Sequence, residues 1–189
     1  RVSHPMIQLA SEAEGAAAPA SLVERMAAAF SPEGALAKSP DFEFRQQQQR
    51  MARVVARALE TQKPVVIEAA TGVGKSLAYL LPAVTFALEH GRKAVISTHT
   101  INLQEQLTLK DLPIVRQIVG RDFKAELLKG RGNYICPQRL EKAIQSAQSL
   151  FTSSESIELQ QLWEWCQGTT DGTLSGIGFT PSPKVWAQV

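Results

Sequence analysis

Apolar residues recur at intervals of three and four along several stretches of the chain, which is the spacing of an amphipathic helix. In one stretch Met51, Val55 and Leu59 follow this spacing, and arginines lie between the apolar positions. The pattern therefore predicts helices, one of them with a basic face. The predicted helices cover residues 21–30, 45–60, 76–90 and 102–119.

Short runs of apolar and β-branched residues lie between these helices and predict strands. The predicted strands cover residues 65–68, 94–98 and roughly 124–128. Strands that alternate with helices are typical of an α/β fold, with a parallel sheet flanked by helices. In open sheets of this kind, ligands bind beyond the carboxyl ends of the strands.

The first forty residues differ in character from the rest, because they are rich in Ala, Ser, Glu and Pro. Their one helical stretch begins with Ser21 and Glu24, which have the spacing of a capping box. We interpret residues 1–40 as an N-terminal extension that serves as a tether or as a packing arm.

The first predicted strand leads into a glycine-bearing loop that precedes a predicted helix. Gly72 and Gly74 let successive backbone N–H groups face a polyphosphate, and the helix N-terminus adds a partial positive charge. Lys75 is then expected to reach the β and γ phosphates, and Ser76 to ligand Mg²⁺. We predict these two residues as catalytic. The predicted nucleotide contacts are Ala70, Thr71, Gly72, Val73, Gly74, Lys75 and Ser76.

The loop departs from the usual GxxxxGK[ST] pattern at one position, where Ala69 replaces the first glycine. An ordinary strand–turn–helix with an exposed lysine is the alternative interpretation. The strand pattern before the loop and the helix pattern after it favour nucleotide binding.

Composition sets broader bounds. A chain of 189 residues with 44% hydrophobic content can bury a sizeable core. No apolar run approaches the roughly 20 residues of a membrane span, and no signal-peptide pattern is present, so we expect a cytoplasmic protein without membrane contact. The net charge of +2 restricts any nucleic-acid surface to a local patch. Because the first residue is Arg1, we interpret the chain as a fragment.

Four segments, in this order, resemble motifs of the DinG family of iron–sulfur helicases, relatives of XPD in helicase superfamily 2. The resemblance covers about residues 22–189 and implies an incomplete RecA-like P-loop NTPase domain at 41–129, beginning near Asp41. It also implies that 130–189 begins a mostly helical iron–sulfur insertion. The four segments are 44–51 (FRQQQQRM), 69–76 (AATGVGKS), 97–107 (STHTINLQEQL) and 129–137 (KGRGNYICP).

By this resemblance, the first segment recognises adenine. Gln48 aligns with the family's glutamine, Arg45 lies beside it, and Phe44 is expected to stack on the base. A glutamine amide both donates and accepts, which matches the N6 and N7 edge of adenine. The alternative is that the glutamine run is a solvated helix start.

The third segment resembles motif Ia, which holds the phosphates of single-stranded DNA. Its hydroxyl and amide side chains position a strand without reading its sequence. Alternatively, Thr100 or Asn102 caps a helix, and both roles can hold together. The predicted DNA contacts are Thr98, Thr100, Asn102 and Gln104.

The fourth segment implies that Cys136 is the first of four thiolate ligands to a [4Fe–4S] cluster. The chain contains only one other cysteine, Cys166, which lies at the end of a predicted helix and is not expected to be a ligand. The remaining ligands are therefore expected outside this chain. The alternative is that Cys136 is a small buried apolar residue.

No acidic pair of the Asp-Glu-x-His type follows a predicted strand, and we assign Asp111 and Asp122 to loops. Phosphoryl transfer depends on a positioned metal ion and positioned charge. We therefore expect these 189 residues alone to bind nucleotide weakly and not to hydrolyse it.

The resemblance implies a monomeric ATP-dependent DNA helicase that unwinds duplexes 5′ to 3′. The implied cofactors are ATP, Mg²⁺ and a [4Fe–4S] cluster, and the implied partners are single-stranded DNA and forked or RNA-containing duplexes. Two alternatives stay open. One is a P-loop ATPase or kinase that does not act on nucleic acid, and the other is a redox or DNA-damage sensor that uses the cluster.

Overall fold

The computed structural model describes residues 19–39, 43–147 and 151–189. The chain divides into two compact units, Arg1–Ala125 and Glu126–Val189. The expected start of a domain near Asp41, and residues 1–18 of the predicted extension, lie outside the described residues. The domain bounds implied by the resemblance stay predictions.

The predicted helices of the first unit are confirmed, and the first three end within one residue of their predicted bounds. The fourth predicted helix consists of two α-helices joined by a π-helical turn at Leu107–Asp111. A short 3₁₀ helix lies at Ala35–Lys38. The α-helices are α1 (Leu22–Ala29), α2 (Gln46–Thr61), α3 (Lys75–Glu89), α4 (Ile101–Gln106) and α5 (Leu112–Val119).

Helix α1 begins with the predicted capping box. The Ser21 hydroxyl accepts a hydrogen bond from the backbone of Glu24 at 3.2 Å, and the Glu24 carboxylate accepts one from the backbone of Ser21 at 2.8 Å. The helix packs against α2 and α3, and Arg25 Nη2 donates to Glu89 Oε2 at 2.8 Å. Within the described residues, α1 therefore packs against the other helices of the first unit.

The core of the first unit lies among α1, α2, α3 and α5. Small side chains bring α2 close to α3, since Ala52, Ala56 and Ala78 are fully buried. Phe30 and Leu81 fill the space around them and are almost completely buried. This packing holds the beginnings of α2 and α3 in place, and both predicted nucleotide-binding segments lie there.

The predicted parallel sheet is not formed by the described residues, and this corrects the strand predictions for 65–68, 94–98 and 124–128. Exposure alternates along 124–128 and from Val95 to Thr98, where Val95 is 92% exposed and Ile96 is half-buried. In 65–68 only Ile67 is half-buried, and Val66 is 97% exposed. Ile96 packs against the core of the first unit. A hydrogen-bonded ladder also requires a neighbouring strand at about 4.8 Å, and local sequence pattern does not specify that neighbour.

The second unit is helical, with α6 at Pro137–Gln145, α7 at Ser153–Gly168 and α8 at Pro183–Trp186. Its own core contains Leu140, Leu159 and Leu162. An isolated antiparallel bridge pairs Tyr134 with Thr173. Within the described ranges, no helix combines the length and the apolar character needed to cross a membrane.

Candidate functional site

The glycine-bearing loop connects residue 68 to the first turn of α3. Gly72 and Gly74 have φ values of +80° and +75°, a region that side-chain-bearing residues rarely adopt. Helix α3 begins at Lys75, directly after Gly74. The first residues of the loop, Ala70, Thr71 and Gly72, are exposed, whereas Val73 to Ser76 are half-buried. The loop thus presents its backbone to solvent at a helix N-terminus, as anion binding requires.

The Lys75 ammonium group folds back onto its own loop. Its Nζ donates to the carbonyl oxygens of Ala69 at 2.9 Å and Ala70 at 2.8 Å. Both acceptors belong to the segment that is expected to surround the phosphates. Lys75 therefore already lies at the loop, with its charge held by backbone dipoles.

The segment predicted to bind adenine also contacts this loop. Gln48 is buried at the start of α2, and its Nε2 donates to the carbonyl of Gly74 at 2.9 Å. Arg45 donates to the carbonyl of Gly72 and forms an ion pair with Glu43 at 2.7 Å. Phe44 is 39% exposed. Gln48 is therefore not a solvated residue at the start of a helix, because its side chain is buried and hydrogen-bonded to the loop.

Sequence reasoning missed one acidic residue at the site and wrongly assigned it to a loop. Asp111 ends the π-helical turn and is only 4% exposed. It lies four residues after buried Leu107 and four before buried Val115, so its place on the apolar face of the helix was a signal that could have identified it. π-Helical turns occur frequently at functional sites.

The surroundings of Asp111 connect it to the phosphate loop. Burial raises the pKa of its carboxyl group, while hydrogen bonds from Gln106 and from the Ser76 hydroxyl oppose that rise. Gln106 Nε2 lies 3.4 Å from Asp111 Oδ2. Burial likewise raises the pKa of Tyr79, which also hydrogen-bonds Ser76. The predicted Mg²⁺ ligand Ser76 thus adjoins a buried carboxylate on the motif Ia side of the fold.

The predicted DNA contacts lie at the N-terminus of α4. The Thr100 hydroxyl accepts a hydrogen bond from the backbone of Leu103 at 3.3 Å, so Thr100 caps the helix as the alternative interpretation expected. The Thr98 hydroxyl donates to the Thr100 carbonyl at 3.2 Å. Thr100 and Asn102 are exposed, and Thr98 and Gln104 are half-buried. The four side chains therefore belong to one short segment, with two of them open to solvent.

The second unit carries both cysteines as free thiols, and both are half-buried. Cys136 directly precedes α6, and its backbone N–H donates to the carbonyl of Val189 at 3.0 Å. Cys166 lies within α7, as expected. Within the described ranges, no group of three or more His, Cys, Asp or Glu side chains is arranged to hold a metal ion. Since a [4Fe–4S] cluster uses four cysteines, the residues of this chain do not suffice to hold it.

Comparison with known proteins adds family evidence to this geometry. The protein YoaA of Escherichia coli, an ATP-dependent DNA helicase, is 40% identical over 162 residues, which is 85% of this chain and 25% of the relative. The ATP-dependent helicase DinG of Mycobacterium tuberculosis is 35% identical over 161 residues, covering 77% of this chain and 24% of the relative.

A further relative, named 3′-5′ exonuclease DinG, comes from Bacillus subtilis. It is 32% identical over 146 residues, which is 77% of this chain and 16% of the relative. The chain thus spans about a quarter or less of the length of these relatives. Residues 45–160, more than half of the chain, match the family described as DEAD/DEAH box helicase, whose ATP-binding part has a RecA-like P-loop fold. The chain therefore belongs to the DEAD/DEAH box helicase family.

Proposed function

We propose that the intact protein is an ATP-dependent DNA helicase of the DinG type, and that this chain contributes the phosphate-binding part of its motor. The observation that carries the proposal is the placement of Lys75 and Ser76 at the start of α3, in a loop with two left-handed glycines. The name of the relative YoaA, an ATP-dependent DNA helicase, supports the choice of DNA over other substrates.

The proposed roles in ATP binding follow from the contacts around the loop. When ATP binds, Lys75 exchanges the carbonyls of Ala69 and Ala70 for phosphate oxygens. The backbone N–H groups of residues 70–74 and the N-terminus of α3 receive the remaining phosphate charge. Ser76 offers its hydroxyl to Mg²⁺, and Asp111 orients that hydroxyl from the buried side. Bound Mg²⁺ supplies charge neutralisation of the phosphates.

Adenine recognition is proposed for Phe44, Arg45 and Gln48. Phe44 has the exposure that stacking on a base requires. Gln48 uses Nε2 to hold Gly74, so its Oε1 and second N–H are the groups left for the base. Gln48 thus links recognition of the base to the position of the phosphate loop.

The proposed DNA contacts are Thr98, Thr100, Asn102 and Gln104. A hydroxyl that caps a helix retains lone pairs and an O–H for a phosphate oxygen, so the capping role of Thr100 is compatible with DNA binding. The neighbouring N-terminus of α4 favours negative charge as well. We propose that this segment binds single-stranded DNA. We also propose that the intact protein is a monomer that moves 5′ to 3′ and acts on forked or RNA-containing duplexes.

We also propose Cys136 as one ligand of a [4Fe–4S] cluster in the intact protein. Its thiol is free and half-buried, and its backbone is hydrogen-bonded to Val189. Iron and sulfide content of anaerobically purified wild type and Cys136→Ser, with Cys166→Ser as the control, tests the proposal. A cluster that survives in Cys136→Ser contradicts it.

The main test substitutes Lys75 by alanine in the intact protein. We expect ATP hydrolysis in the presence of single-stranded DNA to fall by about 10²–10³-fold, because a positioned charge on the phosphates is lost. Lys63→Ala is the matched control, since Lys63 is exposed and lies outside the loop. Duplexes with a 5′ or a 3′ single-stranded tail then test the direction of unwinding.

The same measurements separate the alternatives. A P-loop ATPase or kinase that does not act on nucleic acid hydrolyses ATP at a rate that DNA does not change. A redox or DNA-damage sensor responds to oxidation of its cluster and keeps this response in the Lys75→Ala protein. Unwinding at the wild-type rate by Lys75→Ala contradicts the helicase proposal.

A further inference from the structure

Helix α2 has an arginine face that the proposed ATP and DNA contacts do not use. Arg50, Arg53 and Arg57 are all exposed, and they recur at intervals of three and four. At 3.6 residues per turn, these three positions lie within about 60° of arc around the helix axis. We call these three residues the arginine face of α2.

The arginine face has no compensating negative charge. The one acidic residue of α2, Glu60, accepts a hydrogen bond from the backbone of Leu22 at 2.6 Å and so serves the packing of α1. Within the described part of the chain, the side chains of Arg50, Arg53 and Arg57 make no hydrogen bond and no ion pair. The face therefore carries three unneutralised charges.

Two other arginines of the same unit, Arg25 and Arg116, behave differently. Arg25 is paired with Glu89. Arg116 lies 4.9 Å from the ring of Phe123 and 3.8 Å from Asp122. Surface arginines that help hold this fold together thus have partners within it. The arginine face of α2 contributes no such contact, so its three guanidinium groups are available to bind an external anion.

The spacing of the face fits a phosphate backbone. At a rise of about 1.5 Å per residue, Arg50 and Arg57 are separated by roughly 10.5 Å along the helix. That length corresponds to about three steps of one DNA strand at 3.4 Å each. Guanidinium groups bind phosphate through two parallel N–H donors. Gln46 and Gln47 lie one helical turn before Arg50, and their exposed amide groups provide further, uncharged hydrogen-bond donors.

The opposite side of the same helix contacts the phosphate loop. Gln48 lies about 160° around the axis from Arg50 and bonds the carbonyl of Gly74. Arg45, which immediately precedes the helix, donates to the carbonyl of Gly72. One rigid helix therefore carries the arginine face on one side and supports the nucleotide loop on the other.

We infer that the arginine face of α2 binds the phosphate backbone of DNA at a place separate from the motif Ia segment. The inference rests on the proposed function, since it takes DNA as the polyanion that the protein meets. The 189 residues carry a net charge of only +2, so within them the attraction of DNA depends on a local patch of this kind and not on an overall field. The contact is independent of DNA sequence, because it involves phosphates alone.

The test compares two triple variants of the intact protein. Arg50→Gln, Arg53→Gln and Arg57→Gln together remove the charge of the face. The control combines Lys110→Gln, Arg121→Gln and Lys124→Gln, three exposed basic residues outside α2. Affinity for single-stranded and duplex oligonucleotides is measured by fluorescence anisotropy over a range of salt concentrations.

We expect the arginine-face variant to bind DNA at least about tenfold more weakly at low salt, with a shallower salt dependence. The slope of log K against log salt should decrease by up to about 2.7 for duplex, at about 0.9 for each phosphate contact, or about 2.1 for single strands. The control variant should keep the wild-type slope. Equal slopes in the arginine-face variant and the control overturn the inference.

Two further measurements keep the test decisive. The lysine variant Arg50→Lys, Arg53→Lys and Arg57→Lys retains charge and should retain most of the affinity, which separates loss of charge from loss of folding. An arginine-selective dicarbonyl reagent should modify the face in the free intact protein and be blocked by DNA. A face that does not react without DNA is covered by protein, and that result overturns the inference.

Stimulation of ATP hydrolysis by DNA in the wild type distinguishes the two proposals. If DNA stimulates the wild type and the arginine-face variant binds as the wild type does, the inference fails and the proposed function stands. If the wild type neither binds DNA nor responds to it, the proposed function fails and the inference fails with it. Retained DNA binding together with lost binding of an acidic protein identifies a different partner and also overturns the inference.

Discussion

At the scale of single residues, the contact between Gln48 and Gly74 joins two segments that are 26 residues apart in sequence. A Cβ atom at Gly74 would lie 2.3 Å from Gln48 Nε2, whereas a Cβ at Gly72 would meet nothing within 4 Å. Both glycines have positive φ, so replacing either one by alanine has a similar backbone cost. The steric cost differs, because the new Cβ atom meets a neighbour only at position 74. This difference allows the contact to be measured.

We expect Gly74→Ala to lower the free energy of unfolding by more than Gly72→Ala does. Gly72→Ala should cost about 1–2 kcal/mol, the usual cost of a left-handed alanine. Gly74→Ala adds the collision with Gln48. Chemical denaturation of both variants, and of Gly74→Ala combined with Gln48→Ala, measures the difference. If the double variant recovers no stability relative to Gly74→Ala, the collision is not the cause.

The burial of Asp111 affects stability in a way that depends on pH, and this effect can be compared with its proposed role beside Ser76. Burial raises its folded pKa, so the native state binds a proton more tightly than the unfolded state does. Its contribution therefore favours folding below the unfolded pKa of about 3.9 and is lost as pH rises through the folded value. At neutral pH this buried carboxyl group therefore does not favour folding, and we propose that Asp111 serves a role beside Ser76.

Asp111→Asn is expected to raise thermal stability at neutral pH and to remove this pH dependence. In the intact protein, the same change should raise the Mg²⁺ concentration needed for half-maximal ATP hydrolysis by about 10–100-fold, as for other groups that orient metal ligands. Asp122→Asn is the control, because the Asp122 side chain is 97% exposed. An unchanged Mg²⁺ titration together with increased stability shows that Asp111 has no part in the site.

At the scale of elements, α1 and the 3₁₀ helix that follows it belong to the core of the first unit. Phe30, at the end of α1, is 1% exposed and packs in the same cluster as Leu81 of α3. The ion pair between Arg25 and Glu89 lies at the surface, where such pairs contribute about 0–1 kcal/mol. Burial of apolar side chains is therefore the main interaction that holds α1 against the core, and the ion pair helps to orient the helix.

Phe30→Ala should lower the free energy of unfolding by about 3–5 kcal/mol, because it opens a cavity between α1 and the rest of the core. Phe44→Ala changes an aromatic residue that is partly exposed and should cost under about 0.5 kcal/mol. Urea denaturation of both variants provides the comparison. Equal effects of the two substitutions would mean that α1 is not part of the cooperative core.

Helices were predictable from the sequence, whereas the sheet and part of the site were not. The period of Met51, Val55 and Leu59 is a local property, so the bounds of α2 follow from it. Strand pairing depends on distant neighbours, and the periodic segments at 65–68 and 94–98 do not identify theirs. Asp111 was missed because acidic residues usually face solvent, and only its spacing from Leu107 and Val115 marked it as buried.

At the scale of the whole molecule, the chain exposes apolar side chains that a finished fold normally covers. Val66 and Val95 are almost fully exposed, whereas their neighbours Ile67 and Ile96 are half-buried. Leu128 in the other unit is 81% exposed. The relatives are about four or more times longer than the matched region, and we propose that segments of an equally long intact protein cover these positions.

Val66→Lys and Val95→Lys should therefore have different effects on stability in the 189-residue chain and in the intact protein. In the 189-residue chain they should change the free energy of unfolding by under about 0.5 kcal/mol and reduce self-association. In the intact protein they should cost more than about 2 kcal/mol, because a charge is then buried. Sedimentation and denaturation measure both effects. A tolerated lysine in the intact protein means that these positions stay exposed there.

The hydrogen bonds from Lys75 to Ala69 and Ala70 have a thermodynamic consequence for ligand choice. If the loop binds phosphate as proposed, Lys75 must first give up these two bonds, so the binding free energy is a difference between two sets of contacts. A single phosphate group gains little from this exchange, whereas a triphosphate gains from several donors at once. We therefore expect the folded-back lysine to favour long polyphosphate chains over short ones.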